Sequence, residues 1–296
     1  MPSILPHKHH DEIEETGFTV VRNFLSPEEI TKYTAAAERL IQYARDGHWS
    51  QVRTRGKQFP PWPTTPGFIP DIWGVSGLLH PDLGNMSYPF HDLYSDDKML
   101  NLVSDILQIE KSEISMELLN MLINPLSDFE LDWHRDTIKP SVTPEEEAQE
   151  LLMNPYAGAQ FNLALTEDKC LIVIPGSHKR VRTAEEREKT VDESRRTEYI
   201  SGEIVVELHP GDIVFYNNNI LHRAAYQAKN KRITIHGSYG NVELGKVRAK
   251  GILQHGVGEW LGRFEPRNEN LKMLAEKLGA LAEQFKGVDL GYALDG

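Results

Sequence analysis

The chain has 296 residues, of which 40% are hydrophobic and 26% charged, a balance typical of a globular protein with one sizeable core. A net charge of −12 opposes binding to nucleic acid, because phosphate backbones are held by basic surfaces. The sequence shows no signal-peptide pattern and no run of about 18 apolar residues, which predicts a cytoplasmic protein without a membrane partner. It has a single cysteine, Cys170, so no internal disulfide is expected.

The first part of the chain, residues 1–112, is predicted to contain helices and loops. Residues 17–25 form a strand-like run that ends at the helix-start signal SPEE. Ser26 is a suitable N-cap and Glu29 lies at the position of a capping box, so a helix is expected to follow at once. A second helix is predicted from Asp96 to Leu107.

A segment rich in proline and aromatic residues lies between the two predicted helices. Residues 59–90 contain seven prolines, which disfavour regular structure. Two interpretations are open for this segment. It is either a loop that packs on the core through its own aromatic side chains or a lid over a substrate.

The middle of the chain, residues 113–245, is predicted to be a β-rich core. Short β-like runs alternate there with turn residues, which indicates a sandwich or a barrel. The runs are ISMELLNMLI, AQFNLAL, CLIVI, EIVVEL, DIVFYNNNILH and RITIHGSYG. Two charged insertions, 139–155 and 179–202, interrupt the pattern and are predicted to be exposed helices or loops. Residues 246–296 are predicted to be a helical tail with one amphipathic helix that packs on the core.

A metal site is suggested by one His-x-acid pair. Side chains at i and i+2 of a strand point to the same side, so such a pair can aim two ligands at one ion. The chain has four pairs, whereas about two are expected by chance. The pairs that begin at His9 and His10 lie in a polar leading tail, and the pair that begins at His80 has a proline between its members. The remaining candidate pair is His134 and Asp136. A solvated pair on a surface strand is the alternative.

A third ligand and an anion anchor are suggested farther along the chain. His222 ends an apolar run, and two imidazoles with one carboxylate form the set that non-haem iron oxygenases use. Arg232 opens the apolar strand RITIH, and an inward guanidinium there needs an anionic partner such as a carboxylate. The alternatives are a histidine packed in the core and an arginine exposed at a strand end.

Four motifs follow one another along the chain: GFTVVRNFLSPEEI, WHRD, FNLAL with CLIVIPGSHK, and PGDIVFYNNNILH. In the order of these motifs the chain resembles the phytanoyl-CoA dioxygenase (PhyH) family of iron and 2-oxoglutarate oxygenases. The fungal members that modify natural products are the most similar. The resemblance implies a single domain, mainly β with flanking helices, around a double-stranded β-helix, the cupin-like jelly roll. It implies His134, Asp136 and His222 as iron ligands and Arg232 as the anchor of the distal carboxylate of 2-oxoglutarate.

Two positions and one loop depart from the family's pattern. Ala224 stands where a serine or threonine often helps to hold the cosubstrate, and Thr234 is the candidate substitute. Leu131 stands where glutamine is common. The loop after FNLAL is short, so Gln160 and Asn162 are either cosubstrate contacts or ordinary amides of the strand.

The resemblance implies an activity and its cofactors. Fe(II), 2-oxoglutarate and O₂ would oxidise a small, largely apolar molecule, a fungal secondary metabolite, by hydroxylation, desaturation or rearrangement, with ascorbate as a candidate reductant. The carboxylate ligand Asp136 favours oxygenation over halogenation, because related halogenases lack it. The aromatic loop and GILQHGVGEWL are the expected pocket walls. Since relatives are often homodimers, a homodimer is the candidate assembly.

Two other functions fit part of the pattern. A metal-dependent hydrolase could use the same three ligands around zinc, although Arg232 would then have no duty. A non-catalytic, cupin-like ligand-binding protein would use His134 and Asp136 as structural groups. Measurements of iron binding and of succinate release distinguish these three candidate functions.

Overall fold

The computed structural model describes residues 7–50, 71–153, 158–288 and 290. These residues form two antiparallel sheets with helices around them, as the mainly-β prediction requires. The strands are β1 Phe18–Val21, β2 Gly74–Val75, β3 Ile114–Ile123, β4 Phe129–His134, β5 Gly158–Ala164, β6 Leu171–Val173, β7 Ile204–Val205, β8 Ile213–Tyr216, β9 His222–Tyr226 and β10 Ile233–Asn241.

The larger sheet has the order β1-β8-β5-β10-β3-β2, and the smaller sheet has the order β4-β9-β6-β7. Strands that are neighbours in these sheets are far apart in sequence, so side chains from distant segments meet in space. β1 pairs with β8, which makes the leading part of the chain an edge of the larger sheet. The division at residues 112 and 245 stays a prediction.

Helices cover the larger sheet and fill the connections. They are α1 Lys8–Thr16, α2 Pro27–Tyr43, α3 Tyr88–Tyr94, α4 Asp97–Leu107, α5 Pro144–Met153, α6 Ala184–Val191, α7 Gly245–Ile252 and α8 Glu269–Gln284. None of the helices within the described residues is both long enough and apolar enough to cross a bilayer.

The predicted start of α2 is confirmed in detail. The Ser26 side chain accepts a hydrogen bond from the Glu29 amide at 3.2 Å, and the Glu29 carboxylate accepts one from the Ser26 amide at 2.8 Å. The helix predicted to begin at Asp96 is also present, with the Asp96 carboxylate accepting from the Lys98 amide. Both predicted helices are therefore present, and the first begins with the predicted capping box.

The leading histidine-rich segment is a helix and not a tail, which corrects the sequence interpretation. Of the residues in α1, only Ile13 is buried, so no apolar stripe marks this helix. Polar contacts hold it instead. His9 Nδ1 lies 2.8 Å from Thr19 Oγ1, and the Thr16 carbonyl accepts from the Gly176 amide at 2.7 Å. Hydrophobic periodicity cannot detect an element that is attached in this way.

The proline-rich segment is described only in its second half, because residues 59–70 lie outside the described residues. Trp73 is buried and its ring stacks at 5.6 Å from Phe129 of β4. Leu78 and Leu79 belong to the main core. The described half thus packs on the core through its own side chains, and the lid interpretation concerns residues that the description does not cover.

The predicted amphipathic helix is α8, which packs on β3. Leu271, Leu274 and Leu278 are each 0% exposed. We expect Leu274→Ala to lower the free energy of unfolding by about 2–5 kcal/mol, because the change leaves a cavity in a packed core. Urea unfolding measures this. Lys272→Ala, an exposed change on the same helix, should shift stability by less than about 0.5 kcal/mol, and equal losses in both variants would contradict the packing assigned to α8.

Candidate metal centre

His134, Asp136 and His222 lie together because β4 pairs with β9. His134 ends β4, His222 begins β9, and the two residues are partners across the ladder. The register shifts between Leu131 and His134, and an irregularity of this kind re-aims side chains beside a site. β4 ends at His134, so Asp136 lies two residues beyond the strand, whereas the His-x-Asp prediction had placed it on the strand; its carboxylate nevertheless faces both imidazoles.

The distances within the cluster suit one ion. Asp136 Oδ1 is 3.6 Å from His134 Nε2 and 3.7 Å from His222 Nε2. The three candidate ligand atoms all lie within 4.8 Å of one another. Within the part of the chain that the structure describes, no other group of three histidine, cysteine or acidic residues has such a geometry.

Backbone carbonyls fix which imidazole nitrogen is free. His134 Nδ1 is 2.6 Å from the Asp132 carbonyl, and His222 Nδ1 is 2.9 Å from the Ile220 carbonyl. A carbonyl oxygen only accepts, so each Nδ1 carries the hydrogen in these contacts. Nε2 is therefore the nitrogen of each ring that could give a lone pair to an ion beside Asp136, which is how metal-binding histidines are oriented.

Without an ion, the electrostatics of the cluster favour the metal-binding forms of His222 and Asp136 but the protonated form of His134, which has to lose its proton when a cation binds. Burial, with the nearby His134, lowers the pKa of His222 to about 4. Burial would raise the pKa of Asp136, but the charges of His222 and His134 and the hydrogen bond from His134 hold it well below its usual range. Burial opposes protonation of His134, but the hydrogen bond and charge of Asp136 outweigh it and raise the pKa of His134. An ionised carboxylate thus stands beside a neutral His222.

Gln160 and Asn162 project from β5 at the cavity beside the cluster. Gln160 Nε2 donates to Asp136 Oδ2 at 2.9 Å, while its Oε1 accepts from Asn218 at 3.1 Å. Asn162 Oδ1 is 2.9 Å from His236 Nδ1. Gln160 thus orients the second oxygen of Asp136, and a direct contact of either amide with a cosubstrate stays a prediction.

A cavity of about 550 Å³ contains the cluster in its wall. On one side lie the aromatic rings of Trp73, Phe129 and Tyr226, which pack at 5.5–5.8 Å from one another. On another side lie residues that follow β10, including Ile252 and Gln254. The segment GILQHGVGEWL does border this cavity, but Gln254 and His255 make its lining partly polar.

Arg232 lies at the same cavity, just before β10, with its guanidinium fixed on one side. Its Nε donates to Asp168 Oδ2 at 2.9 Å, and its guanidinium carbon lies 4.6 Å from the centre of the Tyr226 ring. The residue is only 3% exposed, and its Nη1 has no hydrogen-bond partner among the described residues. A buried donor without an acceptor is costly, so this nitrogen suits an added anion.

Asp168 is the residue that the sequence analysis missed in this region. Its carboxylate accepts from Arg232, from the Thr234 hydroxyl at 2.5 Å and from the Cys170 amide at 2.8 Å. Burial would raise its pKa, but the Arg232 charge and these hydrogen bonds lower it. Thr234 is outside the cavity lining, and its hydroxyl serves Asp168. The signal that could have led to Asp168 was the buried arginine itself, which needs an acid nearby.

The sequence pattern of the family described as phytanoyl-CoA dioxygenase (PhyH) matches residues 13–231. The chain belongs to this family. The match includes all three clustered residues and ends one residue before Arg232. No curated protein matches the chain.

Solved structures with this PhyH-family fold confirm the jelly-roll prediction. AviO1 from Streptomyces viridochromogenes Tue57 is 19% identical with a TM-score of 0.56, over 81% of this chain and 97% of that one. SnoN, a non-heme alpha ketoglutarate dependent epimerase from nogalamycin biosynthesis, is 18% identical with a TM-score of 0.52, over 79% and 82%. HygX from Streptomyces hygroscopicus, with nickel and 2-oxoglutarate bound, is 16% identical with a TM-score of 0.56, over 77% and 84%. At these identities the likeness concerns the fold.

Proposed function

We propose that the protein is an Fe(II)- and 2-oxoglutarate-dependent dioxygenase that oxidises a small organic molecule. The observation that carries this proposal is the convergence of His134, Asp136 and His222 with both Nε2 atoms facing one carboxylate. Two neutral imidazoles and one carboxylate on one face of an ion suit ferrous iron in oxygenases, because the opposite positions stay open.

Arg232 supports the choice of cosubstrate. A dicarboxylate that binds iron through its 2-oxo acid end has a second carboxylate to place, and the unpartnered Nη1 of Arg232 is a buried donor for it. Asp168 and the Tyr226 ring keep the guanidinium in place. A zinc hydrolase would give this arginine no role.

Each part of the cavity has a task in this scheme. When bound, iron, 2-oxoglutarate and O₂ supply the oxidising power for a substrate C–H bond. The carbonyls of Asp132 and Ile220 hold both imidazoles in the tautomer that exposes Nε2. Gln160 holds the second oxygen of Asp136, and the aromatic wall with Trp73 gives the cavity an apolar side for a substrate.

The identity of the reaction and of the substrate is a further part of the proposal. The names of SnoN and HygX associate alpha ketoglutarate or 2-oxoglutarate with this fold, and SnoN is an epimerase, so hydroxylation is one outcome among several. We propose a small, largely apolar fungal secondary metabolite as substrate, with ascorbate as reductant, in a cytoplasmic homodimer without nucleic acid or membrane partners.

Anaerobic loading tests the proposal without knowledge of the substrate. Addition of Fe(II) and then 2-oxoglutarate should give one equivalent of bound iron and a weak visible charge-transfer band, and admission of O₂ should release succinate. Bound zinc with no band and no succinate would support the hydrolase instead. Absence of stoichiometric metal would support a binding protein.

A further inference from the structure

Arg135, the residue between the first two clustered positions, is a buried cross-link. Its Nε donates to Glu147 at 3.0 Å and its Nη2 to the Arg180 carbonyl at 3.0 Å. Its Nη1 donates to the Ser177 carbonyl at 2.9 Å and also to the Asn219 carbonyl. One side chain thus joins the His134–Asp136 segment to the approach to His222.

Two further hydrogen bonds tie the same segments. The Asp136 amide donates to the Asn218 carbonyl at 3.1 Å, and the Thr137 hydroxyl donates to Asn219 Oδ1 at 2.8 Å. Asn219 precedes His222 by three residues. The position of Asp136 relative to His222 therefore depends on the contacts that join these two segments.

Glu147 of α5 holds Arg135 from behind. Its carboxylate is 0% exposed and accepts from three guanidinium groups: Arg135 and Arg182 at 3.0 Å each and Arg187 at 2.5 Å. The two charged insertions meet here, since Glu147 comes from 139–155 and two of the arginines from 179–202. Their prediction as merely exposed segments is wrong at this point, because burying such charges requires that they be paired.

We propose that Glu147 is a positioning residue of the metal centre that acts through Arg135. The inference rests on the proposed function, because it requires an ion at the three clustered residues. Without the carboxylate, three guanidinium groups crowd one buried space and repel one another. Arg135 then loses its fixed position, and with it the spacing between Asp136 and His222. Residues that orient ligands in this way typically change metal affinity about 10- to 100-fold.

The test is the metal affinity of Glu147→Gln, which keeps the side-chain size and removes the charge. We expect Fe(II) to bind about 10- to 100-fold more weakly than to the unchanged protein, in anaerobic titrations run well below the melting temperature. The charge-transfer band with 2-oxoglutarate should shift or weaken. A purely structural role for Glu147 would lower the melting temperature and leave both readouts unchanged.

Asp212→Asn is the matched control. Asp212 is also a buried carboxylate, which accepts from Arg22 at 2.7 Å and from the Asn23 amide at 2.8 Å, but it does not line the cavity. This change should lower stability and leave the iron affinity as it was. Unchanged affinity in Glu147→Gln would overturn the inference.

A second variant tests the inference if Glu147→Gln does not fold. Arg135→Lys keeps one cation but cannot reach Asn219, Ser177 and Arg180 together, so it should also weaken Fe(II) binding by about 10-fold or more. If neither variant yields folded protein, the contacts serve the fold and the inference is overturned. If the unchanged protein binds no iron, the proposed function fails first, which is a different result from equal affinities in all variants.

Discussion

The substitution His134→Ala is expected to lower Fe(II) affinity by at least about 100-fold. This effect is larger than that of replacing a residue that only orients a ligand, because His134 itself would bind the ion. It should also abolish succinate formation. The change removes one of three donors, and the remaining Asp136 and His222 leave the ion held on two points. Isothermal titration under nitrogen measures the affinity, and succinate release after admission of O₂ measures turnover.

A surface histidine provides the control for this result. His209 is an exposed residue whose Nδ1 lies 2.9 Å from Glu167, outside the cavity lining. His209→Ala should bind one equivalent of iron as the unchanged protein does. Full iron occupancy in His134→Ala would show that the metal binds elsewhere, and the proposed function would then lose its basis.

The sequence predicted the site where local rules apply. The His-x-Asp pattern identified His134 and Asp136, although Asp136 lies just past the end of β4, and the ladder between β4 and β9 brings His222 opposite His134. The sequence left an inward or an exposed Arg232 open, and the structure shows that the residue is buried. Its role toward 2-oxoglutarate stays a prediction, as do those of Gln160, Asn162 and Thr234.

The polar contacts that support the site could not be predicted from the sequence. Glu147 lies in a run of acids, PEEEAQE, whose members look alike until the fold buries one of them. Asp168 lies in a short charged turn, and its partner Arg232 is distant in sequence. Such pairs have no period and no fixed spacing, so only the tertiary structure identifies them.

The second large effect is expected from replacing Arg232, in a variant that leaves no buried charge without a partner. Arg232→Gln alone would bury the Asp168 carboxylate without its cation, which destabilises a protein strongly. The double change Arg232→Gln with Asp168→Asn avoids this. It should raise the KM for 2-oxoglutarate roughly 30-fold or more, because a buried carboxylate that loses its partner costs about 2 kcal/mol or more.

The comparison that decides this prediction uses a shorter cosubstrate. The unchanged protein should prefer 2-oxoglutarate to pyruvate, which has the 2-oxo acid end but no distal carboxylate. Asp168→Asn alone is less stable, because the buried guanidinium loses its acid, but it keeps that guanidinium beside Tyr226 and should keep the preference, whereas the double variant should lose it. A double variant that still discriminates by its former ratio would mean that another group binds the distal carboxylate, and the role assigned to the free Nη1 of Arg232 would be wrong.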